Sequence, residues 1–155
     1  MTRKITVKST LETLSKLPPR EKMSKKDRKF YSEIGSALMK NELELLINNK
    51  QWVLAVISLA SMLDFTGKTK LIWNHKGSVS ERKINNYKFF KTIKELLNSN
   101  IIGDQTYRKM EEIRKTRNNF AHNLLRLFSL SNEPNPSLEK LIRDGVKIIE
   151  TLLKL

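Results

Sequence analysis

The sequence predicts an all-α fold, an up-and-down bundle of four to five helices. Glycine and proline are scarce, five and four in 155 residues, whereas a turn-rich all-β fold needs more of both. Apolar residues recur at spacings of three and four, the helical period. The stretch Trp52–Phe65 is apolar on nearly every side, which suits the buried central helix of a bundle.

Residues 1–27 read as a basic N-terminal arm and residues 28–155 as the bundle. The first 29 residues hold ten Lys or Arg against Glu12, Glu21 and Asp27, half of the net charge of +14. Pro18-Pro19 interrupts any helix there, leaving room for one short helix over 9–17. Two readings of this arm stand side by side: a grip on phosphates, or a solvated extension.

The first long helix is expected from about residue 25 to 48, with Phe30, Ile34, Ala37, Leu38 and Leu45 as its apolar positions and Asn48-Asn49 as its stop. A second follows at once, from about Gln51 to Phe65. Its Ala55, Ser58, Ala60 and Ser61 permit close approach of neighbours, and Gly67 offers a C-terminal stop. Residues 67–85 form a connection without clear periodicity, in which Leu71-Ile72-Trp73 can pack on the core. A third helix over about 86–98 presents Phe89, Phe90, Ile93, Leu96 and Leu97. The chain turns at Ile101-Ile102-Gly103-Asp104, with Asp104 as the N-cap of a fourth helix over about 105–127. After a loop at 129–135, Asn135 caps a fifth helix and Pro136 opens it. That helix buries Leu138, Leu141, Ile142, Ile149 and Leu152.

Hydrophobic residues make up 39% and charged residues 30% of the chain, the balance of a globular rather than a disordered protein. A pI near 10.1 points to a polyanionic partner, nucleic acid first, or to an acidic protein partner. Cysteine is absent, which excludes disulfides, thiol catalysis and thiolate metal sites. His75 and His122, the two histidines, argue against a histidine-rich metal site within one chain, and no cofactor is expected. The N-terminus lacks the apolar core of a signal peptide. The run Trp52–Phe65 is too short and isolated for a confident membrane span. A cytoplasmic protein without a membrane partner is the simplest expectation.

The fourth helix carries the chemistry. On a 3.6-residue wheel Tyr107, Met110, Ile113, Ala121, Leu124 and Phe128 share one apolar stripe, and Arg117 falls near its middle. An arginine there must meet an acid, solvent or a second subunit; Asp64 is one candidate partner. Asn118 and His122 lie at the edge of the stripe, which Arg114, Lys115 and Arg126 extend into a basic ridge suited to nucleic acid.

Arg117-Asn118-Asn119-Phe120-Ala121-His122 resembles the Arg-x4-His signature of HEPN domains, helical bundles that commonly dimerise and of which many are ribonucleases. The stretch from Lys88 through Ile101-Ile102-Gly103-Asp104 to Glu111-Glu112-Ile113-Arg114-Lys115 and the motif looks like the mannitol-repressor-like branch, which also holds regulatory members. The resemblance covers about residues 28–155 and is strongest over 86–125. It implies a homodimer, catalysis by Arg117 and His122, and a place in a toxin–antitoxin or defence system, with an acidic antitoxin as a further partner.

These residue types suit RNA cleavage. RNA supplies its own nucleophile, the 2′-OH, so the enzyme adds a base, an acid and positive charge on the phosphorane. Histidine transfers protons near neutral pH, and arginine clamps phosphate with a planar fork. One His122 falls short of two proton-transfer groups, and a two-fold dimer supplies the second. Asn118 is placed to orient His122 or to bond the phosphate. The expectation is therefore a metal-independent endoribonuclease; the alternative is a catalytically inactive module that binds RNA or a protein partner. A DNA-binding regulator ranks third, for want of a helix-turn-helix signature. Each residue also has a structural reading. His122 can satisfy helix-end carbonyls, Arg117 can serve a structural ion pair, and Asp64 suits a structural partner better than a catalytic group. Trp73 with Lys68, Lys70 and Lys76 can stack a base, or the indole can simply be buried.

Overall fold

The computed structural model describes residues 15–123 and 133–154. A 3-10 turn, Arg20–Lys22, leads into six α-helices: α1 Lys25–Asn48, α2 Trp52–His75, α3 Glu81–Asn85, α4 Phe89–Asn98, α5 Asp104–His122 and α6 Pro136–Leu153. No strand occurs among the described residues, so the all-α bundle expected from the sequence is the observed class. The expected helix over 9–17 lies largely outside the described residues, as do the end of the fourth helix beyond Asn123 and most of the loop before the fifth.

The α1 helix starts with a reciprocal capping box. Ser24 accepts from the Asp27 amide while Asp27 accepts from the Ser24 amide, satisfying two of the donors that a helix start leaves open. The helix ends at Asn48, as its sequence stop predicts. Its buried face is a different matter. Ser32, Leu43 and Ile47 are buried, whereas Leu38 is 56% and Leu45 62% exposed. The expected stripe of Phe30, Ile34, Ala37, Leu38 and Leu45 is therefore rotated away from the core. Two overlapping apolar sets exist on this helix, and packing on α2 and α6 selects the other one.

The α2 helix is the centre. Its buried residues include Trp52, Ala55, Val56, Leu59, Ala60, Leu63, Leu71, Ile72 and Trp73, and α1, α4, α5 and α6 all pack on it. Contrary to the expected stop near Gly67, it continues to His75. Gly67 serves packing instead: a Cβ there would lie 2.9 Å from Thr92 Cγ2 and 3.0 Å from Leu96 Cδ1 on α4. The chain leaves α2 through Lys76 and Gly77, both at positive φ, 48° and 84°, a left-handed exit typical of helix ends. Much of the connection expected over 67–85 is thus helix, and Leu71, Ile72 and Trp73 do reach the core.

The N-terminal segment is fastened to this centre. Arg20 donates from Nε to Glu81 Oε1 at 3.0 Å, from Nη1 to Thr69 Oγ1 at 2.7 Å, and from Nη2 to Asn85 Oδ1, while its guanidinium lies 5.0 Å from the Phe65 ring centroid. One guanidinium thereby ties the 3-10 turn to α2 and α3, and Met23 just beyond it is buried.

Phe89, Ile93 and Leu96 face inward on α4, while Phe90 is exposed. Gly103, not Asp104, is the N-cap of α5; Asp104 is the first helical residue, where its charge still favours the positive end of the helix dipole. Asn135 caps α6 by accepting from the Leu138 amide, and Pro136 occupies the first turn, as expected. Leu141, Ile142, Ile149 and Leu152 are buried, and Leu138 is half-buried. No helix among the described residues is long and apolar enough to cross a membrane.

At Gly145, α6 packs closely on α2. A Cβ there would sit 2.5 and 2.7 Å from the methyls of Leu59, a fully buried side chain that would have to shift. We predict that Gly145→Ala costs about 1–3 kcal/mol by overpacking. Gly35→Ala, a helical site with nothing within 4 Å, should gain about 0.5–1 kcal/mol. Opposite shifts in the urea midpoints of the two variants would confirm the assignment; parallel shifts would refute it.

Candidate functional site

The α5 helix presents two faces. Met110, Ile113 and Phe120 are buried against the bundle, and Tyr107 packs half-buried beside them. Phe120 holds the inner position near the helix end; Ala121, expected there, is exposed. Leu124 and Phe128 lie outside the described residues.

Arg117 sits on the inner side of this helix and is half-buried. Its Nε is shut off from solvent and meets no hydrogen-bond partner. An orphaned guanidinium N–H costs about 1–3 kcal/mol, more when the group is charged. Asp64 does not relieve it. One carboxylate oxygen of Asp64 accepts from Lys68 Nζ at 2.8 Å and the other from Thr92 Oγ1 at 2.7 Å, so both oxygens are engaged with α2 and α4.

His122 is the last residue of α5 and is exposed. Five residues from Arg117 correspond to roughly 7.5 Å along the axis and about 140° around it. Within one chain the guanidinium therefore points toward the bundle side and the imidazole toward the outer side. Asn118 is half-buried, one turn before His122, and no hydrogen bond joins the two among the described residues. A single helix does not set both groups on one phosphate.

The flanking basic residues separate into two kinds. Arg114 forks onto Glu111, with Nε and Nη2 donating at 2.8 and 2.9 Å. That hydrogen bond holds the Glu111 carboxyl below its usual range and raises Arg114, so Arg114 is partly neutralised as a phosphate ligand. Lys115 is exposed and free to meet a polyanion. Arg126 lies outside the described residues. Sequence reasoning missed Glu111 as the partner of Arg114, although a spacing of three on a helix announces it. It also missed Thr92, which no local signal links to Asp64, 28 residues away. Among the described residues no cluster of three or more His, Asp or Glu is arranged to hold a metal ion.

Asp64 therefore has the surroundings of a structural anchor. Asp64→Ala leaves the half-buried Lys68 ammonium without its partner and the buried Thr92 hydroxyl with only the Lys88 carbonyl at 3.5 Å, and about 1 kcal/mol of stability should be lost. Melting should shift down by about 2–4 °C, and any activity at the motif should persist in the folded fraction. Unchanged melting with abolished activity would instead move Asp64 into the reaction.

None of the family models matches this chain, nor does any curated protein or any solved structure.

Proposed function

We propose that this chain is a metal-independent endoribonuclease of HEPN type, acting as a homodimer through Arg117 and His122. The observation that carries the reading is the pair on α5: an arginine whose buried Nε has no partner, five residues before an exposed histidine at the helix end, in a chain of net charge +14. An RNA phosphate, or a second subunit, would meet this half-buried guanidinium where it reaches solvent. Two α5 helices around a two-fold axis bring two imidazoles and two guanidinium groups into one cleft. One imidazole takes the 2′-OH proton and the other protonates the 5′ leaving oxygen, while arginine stabilises the pentacoordinate phosphorane. The products are a 2′,3′-cyclic phosphate and a 5′-OH. The resemblance to HEPN domains also suggests a role as the toxin of a pair, and the net charge of +14 would suit an acidic antitoxin covering the basic cleft.

A second reading has its own support. The imidazole of His122 meets no hydrogen-bond partner among the described residues, and an unoriented histidine at a helix C-terminus suits the negative end of the dipole without any catalytic role. A silent module that binds RNA or a protein partner fits that observation.

One assay separates the two. Purified protein is incubated with single-stranded RNA in EDTA beside the Arg117→Ala and His122→Ala variants, with sedimentation velocity on each. The nuclease reading expects cleavage that falls by about 100-fold or more in either variant, cyclic-phosphate ends, and a dimer. Equal cleavage by wild type and variants would assign the activity to a contaminant or another site. Binding without cleavage would establish the silent module.

A further inference from the structure

The N-terminal turn of α1 and the C-terminal end of α2 enclose a pocket lined by Met23, Lys25, Arg28, Lys70, Trp73, Asn74 and Lys76, about 530 Å³ in volume. Four of these are cations, and none is an acid. We propose that this pocket binds a phosphate group, held by Arg28, Lys25, Lys70 and Lys76.

Three features leave the positive charge and N–H donors around this pocket without a compensating partner among the described residues. Lys25, Lys26 and Arg28 crowd the first turn of α1, where only Asp27 offsets them and where the helix dipole itself is positive. The guanidinium of Arg28 lies 5.6 Å from the Trp73 ring centroid, yet its Nε is buried without a hydrogen-bond partner, as is Trp73 Nε1 beneath it. Lys70 is held below the usual lysine range, first by burial and then by repulsion from Arg28. Its ammonium donates to the Lys154 carbonyl at 2.8 Å, a neutral acceptor. The exit of α2 adds the fourth cation, since Lys76 occupies the left-handed region at φ 48°, a conformation that L side chains rarely adopt.

The indole restricts what else the ligand contains. Trp73 is 4% exposed, with Arg28 over its face and Tyr31 at a centroid distance of 5.8 Å, edge to face. It has no free face for a base, so recognition is by phosphate and is indifferent to sequence. Lys70 also lines a neighbouring pocket with Gly103 and Thr106 at the start of α5. His122 stands at the far end of that helix, roughly 28 Å along its axis from Gly103. The phosphate pocket is thus separate from the Arg117–His122 pair and does not rest on a nuclease function.

Two probes test it on the full chain: inorganic phosphate, and a single-stranded RNA twelve-mer without terminal phosphates. Lys25→Gln/Lys76→Gln changes two exposed side chains and spares the Arg28–Trp73 packing, so its melting in chloride should equal wild type. Calorimetry at fixed ionic strength should show phosphate binding to wild type, with at least tenfold weaker binding to the double variant. If RNA binding falls in parallel and phosphate competes with it, the source is the RNA backbone. If phosphate binding falls while RNA binding is unchanged, a small phosphorylated molecule is the ligand. Phosphate that binds no better than chloride, or binds the double variant equally, would overturn the proposal. The RNA arm uses His122→Ala as the background for both proteins, so that cleavage by the α5 pair does not enter, and the phosphate arm is independent of it.

Discussion

Everything in this fold depends on burying most of α2, although Leu54, Ile57 and Phe65 keep one side of it exposed. Leu59, Leu63, Leu71 and Ile72 are at most 1% exposed, and each contributes about 1.5–3 kcal/mol by leaving water. No neighbour alone covers such a helix. The α1, α4, α5 and α6 helices each take one sector, and small residues set how near they come. Gly67 admits the Thr92–Leu96 edge of α4, and Gly145 admits Leu59 into α6. A helix so enclosed has few polar positions to offer to chemistry. Its Asp64 and Thr69 are engaged by Lys68, Thr92 and Arg20, and function is displaced to the peripheral helices and to the helix ends.

The α5 helix shows the cost of that arrangement. To cover its sector of α2 it turns Met110, Ile113 and Phe120 inward, and the helical period carries Arg117 to the same side. A purely structural solution would place leucine or methionine at that position, since a charge at an apolar seam is difficult to satisfy. The arginine is instead left with a buried Nε that meets no hydrogen-bond partner among the described residues. About 140° of rotation separates its side chain from that of His122, so one helix by itself does not bring the two together. The proposed dimer would set the inner-edge group of one α5 against the outer-edge group of the other.

Much of this architecture was legible in the sequence, because its signals were local. The stop at Asn48, the Asn135 cap and the Pro136 start were readable from residues within one turn. Reading failed where a tertiary neighbour decided. Gly67 has the composition of a helix stop, yet the approach of α4 makes it an interior packing site. On α1 the choice between the Leu38–Leu45 face and the Leu43–Ile47 face is made by α2 and α6, and periodicity alone does not rank two apolar sets on one helix. The motif residues were likewise identifiable by type and spacing. That Asp64 faces Thr92 rather than Arg117 depends on how α4 docks, and no spacing within α2 or α5 encodes it.

The surplus charge has a distribution as well as a sum. Many acids are paired with a cation three or four residues away on the same helix, as in Lys91–Glu95, Lys109–Glu112, Arg114–Glu111, Lys140–Asp144 and Arg143–Glu139. Exposed pairs of this kind add little stability, but they neutralise the outer faces of α4, α5 and α6 locally. Positive potential is thereby left where cations lack a paired acid, as around Lys25, Arg28, Lys70 and Lys76, and more weakly at the exposed Lys115 on α5, which Glu111 offsets in part. Fields from these two regions add at distances shorter than about 8–10 Å at ordinary ionic strength and are screened beyond that. With roughly a helix length between them, each region attracts a polyanion independently, so a strand engaging both does so through separate contacts and with a correspondingly steep dependence on salt.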